Sequence, residues 1–234
     1  MMKTLLITIF LASMITFAGA QTVLLQKEPE NETLQKETGP NYRKFNHLYI
    51  RGGLLASSDK PGARIVYGTS VNLGFGMRKK YKINSVYSLG FDFEFQYTDY
   101  KLRQRSGKIV PDTLLNNIAE RIDYSTFGVG FFNRFNLDPD RGNFMGVFFD
   151  VGIMGELNYS IKTISKNKLP DGTIEKVVLR KLPFTNTWNS KLFARFGYSH
   201  GSVFASYRLM DLFDEKFDYP DMPRLIVGIE LGIF

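Results

Sequence analysis

The sequence predicts an all-β protein, an eight-stranded antiparallel up-and-down transmembrane β-barrel. Three observations carry that expectation. Between Leu89 and Tyr97, Phe91, Phe93, Phe95 and Tyr97 alternate with Gly90, Asp92, Glu94 and Gln96, so an extended strand there offers one face to hydrocarbon and the other to water. The same two-faced pattern recurs along the chain, and the connections between its recurrences alternate between short and long. Composition agrees: aromatic residues make up 15% of the chain, mostly Phe and Tyr, glycine is plentiful, and mean hydropathy is near neutral, unlike a helical membrane protein.

The N-terminus is of a different kind. A cationic start, Met1-Met2-Lys3, leads into the apolar run Leu5 to Phe17 and then Ala18-Gly19-Ala20, which reads as a signal peptide over 1–20 cut before Gln21. The run is shorter than the roughly 20 apolar residues of a spanning helix, which argues against a transmembrane anchor. Residues 21–44 are polar, lack useful periodicity and contain Pro29 and Gly39-Pro40; they are expected to form a flexible periplasmic tail ahead of a barrel over 45–234.

The strands follow in order. The first, His47 to Leu55, sets Leu48, Ile50 and Leu54 against Tyr49, Arg51 and Gly53, and a short loop through Pro61-Gly62 follows. The second, Ile65 to Arg78, puts Ile65, Tyr67, Thr69, Val71, Leu73, Phe75 and Met77 outward, with Arg78 inward. A basic turn leads to the third, which contains Leu89–Tyr97, and a polar loop over Lys101 to Arg121 comes next. The fourth, Asp123 to Phe135, carries Phe127, Val129 and Phe131 outward and Arg134 inward, and leaves Phe132 needing either a bulge or an interior position. The fifth, Phe144 to Lys162, places Met145, Val147, Phe149, Val151, Ile153, Leu157, Tyr159 and Ile161 outward against Asp150, Gly152, Glu156, Asn158 and Ser160. A second long loop, Thr163 to Thr187, turns at Pro170-Asp171-Gly172, and its stems are candidates to extend the flanking strands above the membrane. The sixth and seventh strands, Trp188 to Tyr198 and Val203 to Met210, are joined by Ser199–Ser202; an acidic loop from Asp211 to Pro223 then precedes the eighth, Leu225 to Phe234. Only the first loop departs from the short–long alternation.

A soluble sandwich or lipocalin-like barrel would use the apolar faces as its core. The polar faces argue otherwise, because they are rich in glycine and regularly charged. Arg51, Lys191, Arg195 and Arg208 stand against Asp92, Glu94, Asp150, Glu156 and Glu230, a set suited to pairing across a narrow interior. Tyr67, Tyr97, Tyr159, Trp188 and Tyr198 fall toward strand ends, as in an aromatic girdle. A closed sheet also satisfies every backbone group, which lipid requires.

Little in the sequence points to catalysis. A lipid-modifying or proteolytic barrel needs histidine near the outer rim with Ser or Asp beside it, and the two histidines, His47 and His200, fall at the opposite end. Without cysteine there is no lipoprotein anchor, disulfide or thiolate site, and no metal or cofactor motif is present. The net charge of +7 is spread over loops and strand faces rather than gathered into a nucleic-acid patch, so lipopolysaccharide phosphate is the expected anionic partner. The two long loops carry Lys101, Arg103, Arg105, Lys108 and Arg121, and Lys166, Lys168, Lys176, Arg180 and Lys181; the last loop carries Asp211, Asp214, Glu215, Asp218 and Asp221 against Lys216. These loops and the tail are the candidate contacts for other envelope proteins.

A signal peptide, eight amphipathic strands and the closing Leu231-Gly232-Ile233-Phe234 resemble the small OmpA/OmpX-type barrels. Lys/Asn/Phe-rich strands and the Ala205-Ser206-Tyr207-Arg208-Leu209-Met210-Asp211-Leu212-Phe213 segment are closer to the Bacteroidota outer-membrane β-barrel family that includes the PorT-like proteins. The resemblance covers Lys44 to Phe234, with one departure: Ile233, not Phe234, shares the lipid-facing register. It implies a Gram-negative outer-membrane location with both termini periplasmic, a non-enzymatic structural or accessory role and, for a PorT-like protein, the type IX secretion apparatus. A small ion or solute channel and a lipid A-modifying enzyme are the competing expectations.

Overall fold

A computed structural model describes residues 39–56, 60–111, 117–180 and 182–234. The expected signal peptide and the tail as far as residue 38 lie outside the described residues. Nine strands make one antiparallel sheet: β1 (Lys44–Leu55), β2 (Val71–Lys82), β3 (Tyr87–Leu102), β4 (Asn117–Asn136), β5 (Val147–Lys168), β6 (Ile174–Arg180), β7 (Trp188–Tyr198), β8 (Gly201–Arg208) and β9 (Leu225–Ile233). Each strand pairs with its sequence neighbour except across β6. There β5 pairs with β7 along Val147–Leu157 and with β6 along Lys162–Lys168. The β1–β9 pairing, from Leu48↔Ile233 to Leu55↔Ile226, closes eight of the nine strands into a barrel. β6 stands outside the ring as the return arm of a β5–β6 hairpin, whose tip holds Gly172 at φ +86°, a left-handed position suited to glycine.

The barrel is inverted relative to a soluble one. Leu48, Ile50, Leu73, Phe75, Phe91, Phe93, Phe127, Val129, Ile153, Phe196, Val203 and Ile229 are exposed on the outside, while Arg78, Arg134, Asp92 and Asp150 are fully buried inside. A continuous apolar belt of this extent far exceeds the patches soluble monomers tolerate. Moved into hydrocarbon, each large side chain in it gains roughly 1.5–3 kcal/mol. The belt therefore belongs in a bilayer, and the protein is a transmembrane β-barrel.

Several expectations need correction. β2 starts at Val71, not Ile65. Over 66–70 the side chains of Thr69 and Ser70 bond to the Val66 carbonyl at 3.2 and 3.0 Å, and the Lys101 amide donates to Ser70 Oγ at 3.0 Å, so side chains replace the sheet ladder. Ile65 is buried, and the first connection becomes a long one, 56–70. All four long connections (56–70, 103–116, 169–187 and 209–224) then lie at one end, and the tighter ones (83–86, 137–146 and 199–200) at the other. β5 has an extra residue at Tyr159, where Ser125 faces Ser160 but Thr126 faces Asn158. That bulge flips the alternation, turning Ile161 inward and Ser160 outward. Met145 lies before β5 begins and packs with Phe45 and Phe148. Phe132 needs no bulge; it is an interior aromatic, fully buried against Gly90. Met210, past the end of β8, is exposed.

Candidate functional site

The inward faces of the strands meet in a network of ion pairs that falls into two groups. In the first, Arg78 meets Asp92 at 2.8 Å and Glu230 at 2.7 Å; Arg134 clamps Asp150 with two bonds of 2.7 and 2.8 Å; and Arg195 reaches Asp92 at 2.7 Å, Asp150 at 3.3 Å and Glu230 at 3.8 Å. In the second, Glu94 accepts from Arg51 at 3.1 Å, Lys191 at 3.2 Å and the Tyr49 hydroxyl at 2.8 Å, and Lys191 also meets Glu156 at 2.8 Å. Each group is neutral, with Arg78, Arg134 and Arg195 against Asp92, Asp150 and Glu230, and Arg51 and Lys191 against Glu94 and Glu156. Buried charge is tolerable only with such local compensation.

Aromatic rings fill what the ions leave. The Arg134 guanidinium lies 3.8 Å from the Phe148 ring centre, Arg51 lies 3.6 Å from that of Phe204, and Arg195 lies 4.5 Å from that of Phe193. The gap between Arg51, Asp92, Glu94, Met154, Phe193 and Arg195 is too small for a water molecule. The mid-lumen is packed, as an eight-stranded barrel allows.

Both ends are covered as well. At the long-loop end every long connection contributes to one apolar cap: Ala63 and Ile65 from the first, Val110 from the second, Leu182 from the third, and Leu212, Phe213 and Met222 from the fourth. They pack on Tyr100, Ile122, Tyr124 and Ile161 from the strands below. At the short-turn end, part of the segment expected to be a free tail is anchored. Asn41 donates to the Arg141 carbonyl at 2.9 Å, its amide meets Asn143 Oδ1 at 3.2 Å, and Lys80 donates to the Pro40 carbonyl. The reason is the row of open carbonyls in the 137–146 turn, which Asn41 satisfies.

Arg51, Asp92, Glu94, Asp150, Glu156, Lys191, Arg195 and Glu230 thus come together inside the barrel. Arg208 faces inward but belongs to the mouth: it grips Asp221 at 3.0 Å and the Met222 carbonyl at 2.8 Å, because the 209–224 loop folds over the end of β8. Arg78 and Arg134, absent from the expected network though their strand parity points inward, supply two of its cations. Of the expected girdle, Tyr97, Tyr159 and Trp188 lie on the outer surface toward the long loops and Tyr198 toward the short turns. Tyr67 does not join them. It packs on the apolar cap, because the segment before Val71 folds inward over the mouth.

The acidic last loop spends its charge internally: Arg224 pairs with Asp211 and with Asp221 at 2.8 Å, and Asp214 caps a 3₁₀ turn over Glu215–Phe217. The histidines are used in packing. His200 stacks on Phe234 at 4.1 Å, and His47 sits between Phe45 and Phe234. Among the described residues no cluster of three or more potential metal ligands occurs.

No protein-family model matches the chain, and no curated protein does. Among solved structures it is similar to Ail, the attachment invasion locus protein of Yersinia pestis, crystallised with the heparin analogue sucrose octasulfate; identity is 12%, 81% of this chain and 94% of that chain are covered, and the TM-score is 0.29.

Proposed function

We propose that the protein is a sealed, non-enzymatic barrel of a Gram-negative outer membrane, with a structural or accessory-subunit role in the envelope and both termini on the periplasmic side. The observation that carries this reading is the triple obstruction of the lumen among the described residues: an apolar cap from four loops, two neutral ion groups whose intervening gap is too small for water, and an anchored segment across the short turns. A conducting pore needs a continuous water path lined by unpaired polar groups. Long connections gathered at one end suit the outer surface, and short turns suit the periplasm. Work as a subunit of a larger secretion assembly, as for a PorT-like protein, would use the loops and the tail rather than the lumen. The channel alternative makes the opposite demand on the lumen. Reconstituted in planar bilayers, the protein gives no steady single-channel steps under applied voltage; reproducible open events of one size would overturn the proposal.

A further inference from the structure

The sheet closes on itself everywhere except at β6. The eight strands of the ring have a partner on each side, whereas β6 pairs with β5 alone, and every residue of it is exposed. The ladder fixes what its other edge offers. In an antiparallel pair every second residue exchanges main-chain bonds with its partner, and the residues between turn theirs the other way. The Leu169 amide donates to the Thr173 carbonyl at 2.9 Å, so Glu175, Val177 and Leu179 spend their main-chain groups on Asn167, Ser165 and Thr163. Ile174, Lys176 and Val178 then point theirs away from β5, and among the described residues no main-chain bond outside the ladder receives them. No proline or bulge interrupts the row. An open row of this kind is a template for one more strand.

The two faces of the hairpin differ in charge. Lys176 and Arg180 share one face with Lys166 and Lys168, and none of these four bases meets a carboxylate within ion-pair distance among the described residues. Val177 and Leu179 share the other face with Ser165 and Thr163, and Glu175 is its charge on β6. A second copy of the chain suits this edge badly. Antiparallel pairing of β6 with itself has its two-fold axis perpendicular to the sheet, which inverts one barrel relative to the other in the membrane. It also sets the two basic faces side by side, where like charges repel. The chain before residue 41 joins the barrel at the opposite end, where Asn41 is anchored.

We propose that the open edge of β6 docks an extended acidic segment of another protein, added antiparallel as a further strand. Its carboxylates stand opposite Lys176 and Arg180, and its alternate apolar side chains lie against Val177 and Leu179. The proposal deepens the accessory-subunit reading above and rests on it: recognition is by main-chain bonds, and the basic face selects the acidic partner.

The test uses the full chain refolded into zwitterionic micelles and labelled peptides, with binding read by fluorescence anisotropy. The probe alternates Glu and Val. In the proposed register its Glu residues turn their main-chain groups toward β6 and its Val residues turn theirs away. N-methylation of the Val amides therefore leaves binding intact, whereas N-methylation of the Glu amides abolishes it; the reverse order, equal binding or no binding of either overturns the proposal. A Lys/Val peptide binds on the order of tenfold more weakly, because like charges then face each other. Lys176→Gln/Arg180→Gln weakens the Glu/Val probe roughly tenfold, at about a factor of three for each cross-strand ion pair. Lys60→Gln/Lys216→Gln, which removes two exposed lysines off the hairpin, leaves binding unchanged. Val178→Pro removes one outward amide without taking a bond from the β5–β6 ladder and costs roughly fivefold. An unaffected Lys176/Arg180 variant overturns the proposal, as does a dimer of the protein that Val178→Pro dissociates, since the occupant is then a copy of this chain. Quenching of Trp188 by brominated acyl chains reports insertion separately. Its absence in the unaltered protein sinks the barrel reading, whereas quenching without discrimination between the methylated peptides sinks the docking edge alone.

Discussion

Arg195 is the side chain on which the first ion group depends, so Arg195→Met is the sharpest test of local neutrality. Its guanidinium touches Asp92, Asp150 and Glu230; without it, Arg78 and Arg134 face three carboxylates and one negative charge is left buried without compensation. Breaking a buried pair in this way costs about 3–5 kcal/mol. The low end applies, because Arg195 Nε and Nη2 make no aligned hydrogen bond and their contribution is chiefly Coulombic. We therefore expect a loss of about 3 kcal/mol. Arg195→Lys, which keeps the charge, loses only about 1 kcal/mol, the size of ordinary hydrogen-bond and packing defects. Adding Glu230→Gln to Arg195→Met restores neutrality, with the amide oxygen still able to accept from Arg78, and should recover about 2 kcal/mol of the loss. Equilibrium urea unfolding in phosphatidylcholine vesicles, followed by Trp188 emission, measures all three. Equal losses for the Met and Lys variants, or simple additivity in the double variant, would refute compensation as the reason these charges are tolerated.

Three further expectations are independent of the lumen charges. Trp188, the only tryptophan and 66% exposed beside Leu157, should emit blue-shifted in vesicles and be quenched by lipids brominated near the headgroup end of the acyl chain, whereas bromines at mid-chain should quench less. A Cβ on Gly152 would meet the Phe131 carbonyl at 2.3 Å and the Phe193 ring at 2.6 Å, so Gly152→Val should cost about 3 kcal/mol or prevent folding; Gly155→Val, with nothing within 4 Å, should be neutral in the same urea assay. At the hairpin tip the Thr173 amide donates to Asp171 at 2.9 Å and holds that carboxyl below its usual value. A lowered folded-state value means that the tip is stabilised above the unfolded value and that this is lost as pH falls through the folded one. Carboxyl chemical shifts should place the Asp171 midpoint below about 3.9, with faster Thr173 amide opening beneath it; a midpoint at or above that value would contradict the contact.

Much of the architecture was legible because period-two alternation is a local property. Phe91, Phe93 and Phe95 face outward, and Asp92 and Glu94 inward, because the strand has no other way to sort them. The failures occur where one residue changes the parity or where a partner is distant in sequence. Ile65, Tyr67 and Thr69 alternate as a strand would, yet Thr69 and Ser70 close a turn on Val66 and send Ile65 into the cap. The extra residue at Tyr159 leaves no compositional trace, so alternation alone puts Ser160 and Ile161 on the wrong faces. Arg224 lies just past the acidic loop in sequence, yet it pairs with both Asp211 and Asp221, the latter shared with Arg208. Arg78 and Arg134 were readable as inward but not as ion partners, since pairing across a lumen depends on the register of several strands at once.

The three obstructions are built from different chemistry, and that separates what can be learned from each. The cap is apolar and comes from loops, the ion groups come from strand faces, and the short-turn closure comes from hydrogen bonds between side chains and the main chain. A substitution such as Arg195→Met lowers stability by isolating a carboxylate but leaves the cap and the Asn41 anchor in place, so no water path opens. Stability and conductance are thus independent readouts here. Selection for transport would leave an opening in line with the lumen, whereas among the described residues the cap, the ion groups and the Asn41 anchor stand in series along it. Recognition then falls to the surfaces that remain: the loops above the cap and the outward faces of β3 to β6 toward the long loops.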